Sequence, residues 1–308
     1  MKNDSFLTDG PKEEVRQGEA NRMTRRRFLK LGVSTLVGTG LACAGYGAFL
    51  EPRQLEITRT TLWQDRLPKA FDGMKIAHFS DLHLGFHTGA EDAKRITGII
   101  NAERPDLIAF TGDMVDGPAA DMESAVEPLS ALEAPLGAVS IVGNHDFDDV
   151  SRLISLQEKA GFTVLRNENI ILSRKGHTIA VAGLDDWLLG MPDPDKALKG
   201  IPEHMYTVLL VHEPDYADIA VNYPFDLQLS GHSHGGQIRL PGIGEVITPP
   251  GSKTYIQGLY EVGRSGMPLY VNRGIGMTRL PFRFLCKPEL SIITLKQRDY
   301  NGQRGNGS

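Results

Sequence analysis

The chain has 308 residues, 41% hydrophobic and 23% charged, which is the make-up of a soluble globular protein of one large domain or two small ones. A formal net charge of −5 excludes a general nucleic-acid binder, because such a protein needs a basic surface to displace counterions. Only two cysteines occur, Cys43 and Cys286, which excludes a disulfide framework.

Residues 1–23 are polar and are expected to be disordered. The run Thr24-Arg25-Arg26-Arg27-Phe28-Leu29-Lys30 then precedes an uncharged stretch from Leu31 to Leu50, softened by several glycines. A charged n-region, an apolar h-region and small residues at Ala42-Cys43-Ala44 are the parts of an export signal. The run resembles a twin-arginine export signal, which implies the twin-arginine export machinery as a partner and folding before export. The stretch is also long enough to span a bilayer, so membrane association as an anchor is an equal reading. Residues 1–50 are therefore expected outside the fold. The protein is expected in the periplasm, the cell wall or at the outer face of the cytoplasmic membrane.

Residues 51–61 alternate polar and apolar side chains, as an edge strand or arm would. From Met74 onward strands and helices take turns. MKIAHFS reads as a strand, 90–103 as a helix stopped by Arg104-Pro105, and DLIAFTGD as a strand. A helix over 122–133, the strand AVSIVGNHD and a polar helix over about 148–160 follow. FTVL, NIILS and TIAVAGL look like short strands, and residues 190–204, rich in proline and charge, like a surface loop or short helix. The second half offers YTVLLVH, DLQLSGHSH, GQIRL, EVITP, MPLYVNRG and ELSIITLK as strands, with a helix over 214–222. No linker interrupts residues 51–298, which are expected to form a single domain before a disordered tail at 299–308.

Five of these strands lead into the same kinds of side chain. They end in Asp81-Leu82-His83, Gly112-Asp113, Gly143-Asn144-His145-Asp146, His212, and Gly231-His232-Ser233-His234. Strand ends at one edge of a sheet are where α/β proteins place their chemistry. Carboxylates, an asparagine and several imidazoles converging there suit two divalent metal ions, with Mn, Zn or Fe favoured over Mg or Ca. Two metals held close ease phosphoester hydrolysis, where an attacking oxygen must approach an anion. Asp113 is the natural bridging carboxylate, and Asp81 and His83 can turn toward one ion. Asn144 ligates without adding charge, and His212, His232 and His234 supply imidazole nitrogens. His145 adjoins a ligand and can reach a leaving-group oxygen, with Asp146 expected to fix its tautomer and raise its basicity.

In this order the motifs resemble the complete signature of the calcineurin-like metallophosphoesterase superfamily, over roughly residues 72–296. The resemblance implies a four-layer α/β/β/α sandwich, two mixed β-sheets flanked by helices. It implies one metal on Asp81, His83, Asp113 and His234, and a second on Asp113, Asn144, His212 and His232. It further implies attack by a metal-bridged hydroxide, with His145 as the general acid. Gly235-Gly236-Gln237, Leu240-Pro241-Gly242, Tyr270-Val271-Asn272-Arg273-Gly274 and Leu280-Pro281-Phe282-Arg283-Phe284 are similar to the bacterial, exported or membrane-associated YkuE/YaeI-like branch of phosphodiesterases. That branch is similar in turn to enzymes that cleave UDP-2,3-diacylglucosamine in lipid A synthesis. The substrate is therefore expected to be a small-molecule or lipid-linked phosphoester, most simply a diester, with UDP-2,3-diacylglucosamine pyrophosphatase or phosphomonoesterase activity as alternatives. An inactive metal-binding module is the alternative of another class.

Outside the motifs, His78 is expected to be a satisfied core histidine, His177 and His204 surface residues, and His87 part of a solvated loop. Asp116 is a candidate to orient Asp113 or a histidine. Arg273, Arg279 and Arg283 are candidate phosphate partners.

Overall fold

Continuous apolar runs mark strands covered on both faces, and the computed structural model of the chain, which describes Gly10 and residues 23–298, buries them so. In chain order the first strands are β1 (Glu56–Gln64), β2 (Lys75–Phe79), β3 (Leu107–Thr111), β4 (Ala138–Ile141), β5 (Phe162–Val164), β6 (Glu168–Arg174) and β7 (His177–Gly183). Then come β8 (Thr207–Leu210), β9 (Leu227–Ser230), the short hairpin β10 (Arg239–Leu240) and β11 (Gly244–Glu245), β12 (Gly258–Val262), β13 (Met267–Val271) and β14 (Glu289–Gln297). The α-helices are α1 (Arg25–Gly45), α2 (Ala90–Glu103), α3 (Val126–Ser130), α4 (Val150–Lys159), α5 (Pro194–Ala197) and α6 (Ala217–Ala220).

Two six-stranded sheets result, in the orders β1-β14-β2-β3-β4-β5 and β12-β13-β9-β8-β7-β6. In the first, β2 to β5 run parallel and β14 antiparallel to β2. In the second, β13, β9, β8 and β7 run parallel, with β12 and β6 antiparallel at the edges. The core between the sheets interleaves Ile76, Ala109 and Ile293 of the first with Val181, Val208 and Leu229 of the second. Outside the first sheet, Ile96, Ile100, Leu129 and Leu153 bring α2, α3 and α4 onto it. Outside the second, Ala197, Ala217 and Ala220 bring α5 and α6. The fold is the four-layer α/β/β/α sandwich that the sequence leads one to expect.

Local differences have local causes. The helix expected over 122–133 is a 3₁₀ helix over Ala119–Ala125 followed by the one-turn α3. Pro128 explains the break, since it has no N–H to give to the carbonyl four residues back. EVITP forms no strand beyond Glu245. The unexpected strand is β12, half exposed and paired antiparallel with β13.

By contacts the chain divides into Met1–Ala42 and Cys43–Ser308. The helix continuing from α1 spans Arg25–Arg53 and is long and apolar enough to cross a membrane, a property signal sequences share. Its last residues belong to the larger unit. Arg283 N donates to the Gly47 carbonyl at 3.0 Å, and the Tyr46 and Phe284 rings meet edge-on at 6.4 Å. The buried Glu51 carboxylate accepts N–H groups from Leu285, at 2.8 Å, and from Cys286. Apart from Gly10 and Met23, the segments 1–23 and 299–308 expected to be disordered lie outside the described residues.

Candidate metal centre

The carboxyl ends of β2, β3 and β4 from one sheet, and of β8 and β9 from the other, open onto one edge of the sandwich. The side chains there are set by sharp turns. Asp81, His83, Asp113, His232 and His234 all have left-handed backbones, with φ of 55°, 46°, 58°, 67° and 50°. That conformation costs an L-residue about 1–2 kcal/mol, and such strain concentrates at functional sites. The glycines of the motifs make room for the turns. A Cβ on Gly143 would lie 2.6 Å from the Asp113 nitrogen, and one on Gly231 would overlap Ser80 Oγ. The loop after β13 holds the first turn in place, because Gly276 N donates to the Asp81 carbonyl at 2.7 Å and Ile275 N to that of Ser80 at 3.0 Å.

All seven residues expected as ligands come to this edge, six of them in two groups that meet at Asp113, with Asn144 beside them. Asp81, His83 and His234 form the first. His83 Nε2 lies 3.0 Å from His234 Nε2, and His234 Nε2 lies 3.4 Å from Asp81 Oδ1. Asp113, His212 and His232 form the second, with His212 Nε2 3.2 Å from Asp113 Oδ2. The same Asp113 oxygen is 3.6 Å from His83 Nε2, so this carboxylate stands between the groups. Backbone carbonyls select the ring nitrogens of the second group: His212 Nδ1 meets Thr111 O at 2.6 Å and His232 Nε2 meets Pro250 O at 2.7 Å. Each ring is thereby left one free lone pair. Asn144 Oδ1 and His212 Nε2 are buried with no hydrogen-bond partner among the described residues. Orphaned acceptors are costly without a cation or water to face. The donor set therefore fits two divalent ions of borderline softness.

The charges fit as well. Burial raises the Asp81 carboxyl above the usual range. Burial acts the same way on Asp113, but His212 and His83, each pushed against burial toward its charged form by the neighbouring carboxylates, outweigh it and hold that carboxyl low; a cation beside Asp113 would act on it in the same direction. Burial, helped by His212, pushes His232 down to about 3, so it stays a neutral donor.

The arrangement around His145 corrects one expectation. Asp146 does not reach the His145 ring. Its carboxylate accepts the backbone N–H groups of Gly143 (2.9 Å), Asp113 (3.0 Å), Met114 (2.9 Å) and Val115 (3.2 Å), and so it fixes the turn carrying Asp113. The residue that faces His145 is Asp116, whose carbonyl and carboxylate oxygens lie 3.2 and 3.5 Å from His145 Nδ1. Asp116 Oδ1 also lies 2.9 Å from His83 Nδ1. A backbone N–H of His145 in turn donates to Asp113 Oδ1 at 2.9 Å.

The remaining candidates separate cleanly. His78 is buried, with Nε2 2.9 Å from Thr111 Oγ1, and burial lowers its pKa to about 3. His87, His177 and His204 are exposed. Arg273 is held by Glu289 and Glu56, and the fully buried Arg283 donates to the carbonyls of Gly274, Gly276 and Cys286. Arg279 alone of the three lines the cleft beside His145, Asn144 and His232. The sequence reading missed the apolar wall of that cleft, formed by Ile238, Val246, Ile247 and Leu280. Its signal was present in the unpaired apolar residues of IRLPGIGEVITPP.

Comparison with known proteins agrees with this geometry. Residues 74–236 match the calcineurin-like phosphoesterase family. The chain is 46% identical over 283 residues to YkuE of Bacillus subtilis, named an uncharacterized metallophosphoesterase, covering 89% of this chain and 98% of that one. It is 31% identical to a transmembrane protein with metallophosphoesterase domain from Danio rerio, covering 82% of this chain and 60% of that protein. It is 28% identical to the UDP-2,3-diacylglucosamine pyrophosphatase LpxG of Chlamydia muridarum, covering 79% and 90% respectively.

Proposed function

The chain belongs to the calcineurin-like phosphoesterase family, a family with a dimetal centre, and on that premise we propose a phosphodiesterase that acts at the outer face of the cytoplasmic membrane. Asp81, His83, Asp113 and His234 would hold one cation, and Asp113, Asn144, His212 and His232 the other. The observation that carries the reading is the position of Asp113, with one oxygen 3.6 Å from His83 and 3.2 Å from His212. Manganese, zinc or iron suits this mixture of imidazole and carboxylate. When bound, such ions supply positive charge to phosphate oxygens and lower the pKa of water.

The chain's own groups do the rest. His145 presents a proton to the leaving oxygen, its Nδ1 turned to Asp116 and its Nε2 left for substrate. Arg279 at the cleft wall offers a guanidinium to a phosphoryl oxygen. Asp146 serves the site by shaping the Asp113 turn. The Thr-Arg-Arg-x-Phe-Leu-Lys run and the apolar helix after it support export by the twin-arginine route, with the helix as signal or anchor. The name of the Chlamydia relative favours a lipid-linked phosphoester, and that of the Danio relative a place at a membrane.

Hydrolysis of bis-p-nitrophenyl phosphate, p-nitrophenyl phosphate and UDP-2,3-diacylglucosamine by metal-loaded protein, with His145→Ala alongside, tests the proposal. Diester turnover that falls at least about 100-fold in the variant supports it. Selective cleavage of the nucleotide lipid would reassign the enzyme as a pyrophosphatase, and selective monoester cleavage as a phosphomonoesterase. Silence on all three with both ions bound would leave an inactive metal-binding module.

A further inference from the structure

The cleft at the metal centre has two unlike sides. One is polar, with Asn144, His145 and His232, while the other is built from Ile238, Val246, Ile247, Pro249 and Leu280, with a volume of about 170 Å³. The apolar side is exposed to an unusual degree: Ile247 is 71% accessible, Val246 50% and Leu280 55%. Ile243 at the tip of the β10–β11 hairpin is 74% accessible. A phosphoryl group gains nothing from such a wall, whereas a hydrocarbon chain attached to it loses water against it.

A second observation points the same way. The hairpin is stitched to the segment before Cys286, since Arg239 N donates to the Phe284 carbonyl at 2.8 Å and Phe284 N to that of Gln237 at 3.0 Å. That segment is bound in turn to Gly47, through Arg283 N at 3.0 Å, and to Glu51. Phe49 and Leu50 between them are 66% and 56% accessible. Residues 46–51 end the only helix of membrane-spanning length among the described residues. The chain therefore ties the cleft's apolar wall to the place where its apolar helix joins the domain.

We propose that this wall is an acyl-chain subsite, and that the substrate is a lipid phosphoester whose hydrocarbon chain lies along Ile238, Val246, Ile247 and Leu280 while its phosphoryl group faces the metal ligands. The inference rests on the phosphodiesterase reading and adds the substrate's apolar part to it.

A homologous series of p-nitrophenyl alkyl phosphodiesters, from ethyl to octyl and kept below aggregation, tests it on the full-length protein. The leaving group and chromophore stay constant, so only the chain varies. We expect kcat/KM to rise at least about tenfold from ethyl to octyl, below the roughly fourfold per methylene that full burial permits. In Ile247→Ser/Leu280→Ser the octyl-to-ethyl ratio falls toward one. Each protein supplies its own ethyl reference, so partial misfolding cannot imitate the result. A second measurement, inhibition by octyl phosphate against ethyl phosphate, should show the same preference in the parent protein and lose it in the variant. Hydrolysis independent of chain length overturns the subsite and leaves the phosphodiesterase standing. No hydrolysis of any ester overturns the phosphodiesterase itself.

Discussion

His145 Nδ1 lies 3.2 Å from the carbonyl oxygen of Asp116 and 3.5 Å from its carboxylate, although Asp146 is its neighbour in sequence. One acidic residue thus steadies the ring, and the other steadies the turn that carries Asp113. The His83 imidazole beside Asp116 holds that carboxyl below the usual range, so it is an anion at neutral pH.

Asp116→Asn is therefore expected to lower kcat by about 10–100-fold, the usual cost of losing a group that orients a ligand or acid. KM should change little, and the basic limb of the pH–rate profile, where a general acid loses its proton, should move to lower pH. Asp146→Asn should act differently, by lowering the melting temperature, because it weakens acceptors for four N–H groups. Steady-state kinetics beside thermal melts of both variants separate the two roles. Equal loss of stability in both would contradict the assignment.

Glycine substitutions distinguish close approach from mere flexibility. Gly143→Ala would force a methyl group to within 2.6 Å of the Asp113 nitrogen, so activity and metal retention should both collapse. Gly98, exposed within α2 with nothing within 4 Å of a built Cβ, should accept alanine and gain up to about 1 kcal/mol. Denaturant titration of Gly98→Ala and metal analysis of Gly143→Ala check the pair.

Glu289 joins the sheets, accepting from Tyr270 Oη at 2.7 Å, Thr58 Oγ1 at 2.5 Å and Arg273 Nε at 2.9 Å. Burial would raise its pKa, but Arg273 and the two hydroxyls outweigh burial and lower it below 4.5. A lowered carboxyl contributes stability above its unfolded value, and that stability is lost as pH falls through the folded value. Glu289→Gln should cost about 1–3 kcal/mol near pH 7, because it leaves the half-buried Arg273 guanidinium to Glu56 alone. The gap from the parent should close as pH drops below 4.5. A gap that stays constant down to the acid transition would show that the charge contributes nothing.

Tyr46, Gly47 and Glu51 all bind the segment 282–286, so the folded domain is predicted to begin before residue 51. A chain starting at residue 43 keeps Gly47 and Tyr46 against the segment 282–286, whereas one starting at 51 loses them. The shorter form, and Glu51→Ala in the longer one, should each melt several degrees lower. The stability lost with Glu51 is about 1–3 kcal/mol for the buried Cys286 N–H and the part-buried Leu285 N–H left unpaired. Identical melting curves for the two lengths would place the boundary at residue 51 after all.

The turns that carry the candidate ligands were legible because each follows a buried parallel strand whose apolar run is unmistakable, and because Asp, Asn and His in such places serve few other purposes. β2, β3, β8 and β9 all show this. What escaped depended on contacts between distant segments. β12 is half exposed and becomes a strand only by pairing with β13. The choice between Asp116 and Asp146 beside His145 is made by the 3₁₀ turn Asn144–Phe147, which points Asp146 back at the N–H groups of Gly143 and Asp113, and no spacing reveals it. Residues 43–50 read as part of an apolar leader, and only the loop around Arg283, far along the chain, draws them into the domain.

The most direct test of the account is a titration of metal-free protein with Mn²⁺, following hydrolysis of bis-p-nitrophenyl phosphate against ions bound per chain. Activity should rise to a plateau at two ions, and Asp113→Asn should bind fewer and stay inactive. Two ions bound without any phosphoester turnover, or full activity in Asp113→Asn, would contradict it.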